Sequence, residues 1–198
     1  MDLFIFDFDD TLAITDSRVR VIRNGQDIWM TSREFAHFPV TQDDQIDFGD
    51  FTRASGTLIK DTVEIMEQAI IDGADVHIVT ARSIAEPVTK FLEDQLGSAP
   101  PVSATAGSAG KVPWLENKLS TGNYEKVVVF EDCEKNIRSL KDTVEQFNQV
   151  NGTSIQYSAM CILPDQSMVQ KEARWRREDL LTEWDFRNTI KNFLHKTW

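Results

Sequence analysis

The chain has 198 residues, 41% hydrophobic and 27% charged, enough for one sizeable core and too few for two ordinary domains. Its formal net charge of −11 argues against strong nonspecific binding to nucleic acid or to an anionic membrane. Two cysteines, Cys133 and Cys161, form no disulfide framework and fit a reducing compartment, so a cytoplasmic location is expected.

The first apolar run, "LFIFDF" from Leu3 to Phe8, is hydrophobic on both faces, which predicts a central strand of a parallel sheet. It is too short for the apolar part of a signal peptide and lacks a basic flank, so none is expected. No later stretch approaches the roughly 20 apolar residues of a membrane span. "VRVIRNGQDIWM" (Val19 to Met30) alternates around Asn24-Gly25, the strongest short hairpin signal, and predicts a two-stranded flap. The stretch that follows, to about Thr57, carries Asp43, Asp44, Asp47 and Asp50 among scattered phenylalanines and reads as an acidic loop.

From Leu58 the pattern becomes rhythmic. Helical spacing covers Leu58 to Ile71, Ile84 to Leu96, Val112 to Leu119 and Glu134 to Val150. Four apolar runs are interleaved with these or follow them: Asp75 to Ala81, Pro101 to Thr105, Lys126 to Asp132 and Ile155 to Leu163. Gly73, Gly97, Gly122 and Gly152 stand where the helices should stop. The last segment, Ala173 to Leu194, has helical spacing and predicts a C-terminal helical extension. Its Trp175 and Trp184, with Trp198 beyond it, are expected to pack in a core or interface rather than stack on bases. The expected fold is therefore α/β: a three-layer Rossmann-like domain over residues 1–198 with a central parallel five-stranded sheet. A flap and short cap-like insertion occupy 13–57, and the helical extension 165–198.

The first strand ends in "DFDDTLA", three carboxylates in four positions. An extended chain puts Asp7 and Asp9 on one face and Asp10 on the other, an arrangement that a bend after Asp7 would alter. Two unit charges about 4 Å apart repel by ~4 kcal/mol at an effective dielectric of about 20, so a shared spot needs a proton or a cation. The strand "VVVF" ends likewise in Glu131-Asp132, at the same sheet edge if the strands are parallel, and ligands gather at that edge in open parallel sheets. Oxygen ligands without a His or Cys cluster select a hard cation, for which Mg²⁺ is the best fit. A third strand ends in Thr80, with Arg82 just beyond, and "GSAGK" places Lys111 near a helix start. Donors and cations around a metal suit a phosphoryl group.

Asp7-Phe8-Asp9-Asp10-Thr11, then Thr80, Lys111, and Glu131-Asp132 with Asn136, resemble the four ordered motifs of the haloacid dehalogenase-like phosphatase superfamily. The resemblance spans about residues 1–165. It implies an Mg²⁺-dependent phosphomonoester hydrolase in which Asp7 attacks phosphorus to form an aspartyl-phosphate. By the same resemblance, Asp9 protonates the leaving oxygen and then activates water. Phe8, Thr80, Ala81, Arg82 and Lys111 line the phosphoryl site, while Asp7, the Asp9 carbonyl, Asp132 and Glu131 surround the metal. Asp9 together with the metal acids favours a phosphatase over a dehalogenase.

Some assignments stay open at this stage. Lys118 lies on the same helix as Lys111 and competes for its role, and Arg82 reads equally as a substrate anchor or a solvated helix-start residue. Asp10 replaces the glycine of many relatives. "AGSAGKV" has short glycine spacing for a nucleotide-binding loop, and Val112 stands where a hydroxyl should bind metal. His77 and Cys133 read as structural. The site should be nearly capless, and "VTAR" with a short flap resembles the phosphatase domain of phage polynucleotide kinase. That points to a phosphorylated small molecule or nucleic-acid end as substrate. The alternatives are a non-catalytic phosphate- and metal-binding module and a phosphotransferase.

Overall fold

The computed structural model describes residues 1–164 and 173–176. The elements in chain order are β1 (Asp2–Phe6), β2 (Ala13–Thr15), β3 (Val19–Arg23), β4 (Gln26–Met30), α1 (Ser32–Ala36), β5 (Gln45–Asp47), β6 (Gly56–Leu58) and α2 (Lys60–Ile71). They continue with β7 (Asp75–Thr80), α3 (Glu86–Leu96), β8 (Val102–Ala104), α4 (Lys111–Thr121), β9 (Lys126–Glu131), α5 (Glu134–Asn151), β10 (Gln156–Pro164) and β11 (Ala173–Arg176). The main sheet runs β11-β10-β9-β1-β7-β8. All its strands are parallel except β11, which lies antiparallel on β10.

The alternation of side chains along β1 builds two cores. Phe4 and Phe6 point to one face, where α2 contributes Val63, Met66 and Ala69 and α3 contributes Val88, Phe91 and Leu92. Leu3 and Ile5 point to the other, under Leu115 and Leu119 of α4 and Leu140 and Val144 of α5. A fully buried side chain of this kind stabilises the fold by about 1.5–3 kcal/mol. The result is the expected three-layer Rossmann-like arrangement of a five-stranded parallel sheet between helices. Among the described residues, no helix is long and apolar enough to cross a membrane.

The flap is larger than the sequence suggested. Asn24 and Gly25, at φ 52° and 74°, make the tight turn between β3 and β4. β5 then adds a third strand on the far side of β3. What reads as an acidic loop also contains α1, and it ends on β6, which pairs with β2. Its aspartates are structural partners: Asp44 receives both Nε and Nη2 of Arg23 at 2.7 Å, and Asp50 receives the Arg18 amide at 2.8 Å and Arg53 Nη2 at 2.8 Å. Val19, Val21 and Met30, packed with Phe35, Phe38 and Phe51, give the flap a small core of its own. At its base a Cβ on Gly56 would stand 2.1 Å from the Ile14 carbonyl oxygen, so only glycine permits that strand contact.

The expected helix from Ala173 needs correction. Ala173–Arg176 is a strand, because the open edge of β10 offers a ladder that outweighs weak helical spacing. The remainder of that segment, with Trp184, and Trp198 beyond it lie outside the described residues.

Candidate active site

Register and parity assemble the centre of the site. Phe6 faces Phe130 across β1 and β9, so the next residues, Asp7 and Glu131, emerge side by side at the carboxyl edge. The Asp7 amide still donates to the Phe130 carbonyl at 2.9 Å. Both residues share the parity of Leu3, Ile5, Val127 and Val129, which directs them to the face covered by α4 and α5. Lys111, the first residue of α4, reaches the same spot. Its Nζ donates to Asp7 Oδ1 at 2.7 Å and to Glu131 Oε2 at 2.6 Å.

All three of these groups are buried, and the electrostatics follow from that. Burial, with Glu131 close by, pushes the Asp7 carboxyl up to about 7 despite the pull of Lys111. Burial would strip the proton from Lys111, but Asp7 and Glu131 outweigh it and raise the ammonium above its usual value. Glu131 is held from behind as well, since its Oε1 accepts Asn136 Nδ2 at 3.0 Å and the Cys133 amide at 3.3 Å. Its oxygens therefore orient Lys111 before they offer anything to a metal. Lys118, the competing candidate, instead pairs with Asp75 at 2.8 Å, at the start of β7 and so at the opposite edge of the sheet.

Asp132 completes the acidic group: one oxygen each from Asp7, Glu131 and Asp132 lie within 4.8 Å of one another. Burial, then Glu131, Asp7 and Asp10, push Asp132 well above the usual carboxylate range. A cluster of crowded carboxylates whose joint ionisation is opposed could hold a hard divalent cation through oxygen. Asp7 and Asp132 are the residues best placed to hold one, with Glu131 behind them. Because Asp7, which holds its proton up to about pH 7, and Asp132, also raised, must both be ionised to hold a cation, binding should strengthen by about tenfold or more per pH unit below 7. Calorimetric titration with Mg²⁺ between pH 5.5 and 8.5 checks this; a flat profile contradicts it.

The regular alternation of an extended strand ends at Asp7, although Asp9 stays near enough for its charge to raise the Asp7 carboxyl. The chain turns directly after Asp7: the Phe8 carbonyl accepts the amides of Thr11, Leu12 and Ala13, and Asp10 takes a left-handed φ of 57°. That conformation favours glycine and is tolerated by Asp, which accounts for Asp10 at this position. Asp9 is carried to a different set of partners. Arg82 grips it through Nε at 2.8 Å and Nη2 at 2.7 Å, and the Thr15 hydroxyl donates at 2.6 Å.

Arg82 is thus neither a solvated helix-start residue nor a free substrate anchor. It is 4% exposed, and its remaining donors reach the carbonyls of Phe51 and Arg53 and the Ser17 hydroxyl. It fastens the flap to Asp9. The Phe8 side chain is also buried, edge-on to Phe91 at 5.6 Å, so only its backbone can face a ligand. Thr80 ends β7, its hydroxyl 1% exposed as part of the residue and accepting the Arg82 amide at 3.2 Å. Ala81 is exposed beside it, its carbonyl taken by the Gly107 amide at 2.7 Å.

Sequence reasoning passed over Thr15, Ser17 and Arg33. The last lies on α1, with Nε 3.9 Å from Asp132 Oδ2. A signal for α1 was present: Thr31 and Glu34 form a capping box. Compared with known proteins, the chain matches no family model, no curated protein and no solved structure.

Proposed function

We propose that the protein is a divalent-metal-dependent phosphomonoester hydrolase that works through an aspartyl-phosphate, in the manner of the haloacid dehalogenase-like phosphatases. The observation that carries this reading is Lys111 held between Asp7 and Glu131, with Asp132 beside them, at the carboxyl edge of adjacent parallel strands. Asp7 is the nucleophile: its free carboxylate oxygen attacks phosphorus, and the bond to the ester oxygen breaks as the Asp7–phosphorus bond forms. Lys111 neutralises charge on the approaching dianion and keeps the Asp7 oxygen oriented. Bound between Asp7 and Asp132, Mg²⁺ would supply Lewis-acid charge neutralisation of the phosphoryl oxygens.

Asp9 gives a proton to the leaving oxygen, then takes one from the water that hydrolyses the acyl phosphate and releases inorganic phosphate. In the structure both oxygens of Asp9 are engaged, so one contact to Arg82 or Thr15 must open for each transfer. A nucleotide or polynucleotide phosphate, to which the resemblance of "VTAR" points, is the substrate class we favour. Hydrolysis of an aryl phosphate with and without Mg²⁺ is the direct test, followed by a panel of mononucleotides, 3′-phosphorylated oligonucleotides and sugar phosphates. Metal-dependent release of phosphate supports the reading. Tight phosphate and Mg²⁺ binding with no turnover of any ester would make the protein a binding module instead.

A further inference from the structure

We propose that Arg33 is a substrate-binding residue, delivered by the flap to grip phosphate charge at the mouth of the Asp7–Asp132 site. The proposal rests on the reading of that site as one for phosphoryl groups. Among the described residues, four basic side chains lie near the carboxylates of Asp7, Asp9, Asp10, Glu131 and Asp132: Lys111 and Arg82 are already committed, Arg18 is exposed and acts on Asp10, and Arg33 alone of the other two stands beside Asp132. Lys111 is divided between Asp7 and Glu131, and Arg82 spends its donors on Asp9, Ser17 and two flap carbonyls. Their side chains are 3% and 1% exposed.

Arg33 differs on both counts. Its Nε stands 3.9 Å from Asp132 Oδ2, beyond hydrogen-bond distance, and its side chain is 26% exposed. Its charge also acts on Asp10, where it opposes the upward push of burial, so the guanidinium lies near Asp10 as well as Asp132. Among the described residues the Arg33 guanidinium donates no hydrogen bond, and a planar arginine fork is the side chain best matched to phosphate oxygens. Anything bound against Asp132 would meet it.

The placement is fixed by structure rather than left to a loose loop. The capping box of Thr31 and Glu34 sets the start of α1, with the Thr31 amide donating to Glu34 Oε2 at 2.7 Å and the Glu34 amide donating to Thr31 Oγ1 at 3.1 Å. Phe35, two residues on from Arg33, packs edge-on to Phe48 at 5.4 Å within the flap core. Arg82 ties that core to Asp9 through the Phe51 and Arg53 carbonyls. A charge argument points the same way. With a divalent cation present, Arg33 adds positive charge on the Asp132 side of the site, where an incoming dianion would approach.

The test uses the full chain with Arg33→Met and Arg33→Lys, with inorganic phosphate as the probe at saturating Mg²⁺. Arg33→Met should weaken phosphate binding about tenfold or more, and Arg33→Lys should restore part of it. Mg²⁺ affinity and melting temperature should stay close to wild type, and for an aryl phosphate KM should rise while kcat changes little. Unchanged phosphate affinity, or a change in Mg²⁺ affinity alone, would overturn the proposal, the latter making Arg33 merely a partner of Asp132. A wild-type protein that binds no phosphate overturns it too. Arg33-dependent phosphate binding without turnover would uphold it while removing the hydrolase reading.

Discussion

Asp7→Asn should lower turnover roughly 10⁴-fold or more while leaving the protein folded. The substitution keeps the size of the side chain and removes the anionic oxygen that would attack phosphorus. It also keeps the Lys111 ammonium partnered, because Glu131 still receives Nζ at 2.6 Å. The stability consequence has a definite sign. Burial raises the Asp7 carboxyl from 3.8 to about 7, so the metal-free folded state holds a proton that the unfolded chain releases earlier. That contribution is fully present below about pH 4 and is lost as pH rises through 7. Asparagine has no proton to lose. Metal-free Asp7→Asn should therefore be at least as stable as wild type at pH 8, and relatively less favoured at pH 5. Turnover measured with an aryl phosphate, alongside thermal unfolding at both pH values, checks both parts. Retention of more than a few per cent of wild-type turnover would exclude Asp7 as the nucleophile.

Lys111→Met should be damaging in both respects, and Lys118→Met in neither. Removing Lys111 leaves Asp7 and Glu131 buried side by side without their shared cation, and breaking a buried pair in this way costs about 3–5 kcal/mol. Mg²⁺ should restore part of that loss, since it neutralises the same carboxylates. Turnover should fall about 10²–10³-fold with the metal present, the scale of removing one positioned donor to a developing charge. Lys118 is 23% exposed and sits at Asp75, where Tyr124 and His77 also bond to the carboxylate. Losing it should cost at most about 1 kcal/mol and leave turnover unchanged. Denaturant unfolding and initial rates for the two variants, side by side, decide which lysine serves the site. Comparable loss of activity from both would contradict the placement.

The fold was legible because its signals are local and redundant. "VVVF" is apolar on every side chain, as only a doubly covered strand requires, and it is β9; Glu134 to Val150 has unbroken helical spacing, and it is α5. The flap was legible only in part. Asn24-Gly25 announces its own turn and Thr31 with Glu34 marks the start of α1, but β5 depends on a partner strand distant in sequence, β3. The strand Ala173–Arg176 was misread for a similar reason. A short segment with ambiguous periodicity takes the structure that the neighbouring edge of β10 offers.

By itself, the sequence determined the parallel α/β sheet, the carboxyl edge where its strands end, and the acids and lysine gathered there. Side-chain alternation and the ends of apolar runs are properties of the chain, and they survive any choice of tertiary partner. Tertiary structure alone decided which charge meets which. Lys111 rather than Lys118 reaches Asp7, because α4 begins at that edge and its later turns carry Lys118 away toward Asp75. Asp9 is bonded to Arg82 because the turn at Phe8 and Asp10 breaks the alternation of the strand. Arg33 comes to Asp132 across about a hundred residues of sequence, on a helix whose position depends on the packing of the flap. Pairings of that range are set by the geometry of closed cores, which no local pattern encodes.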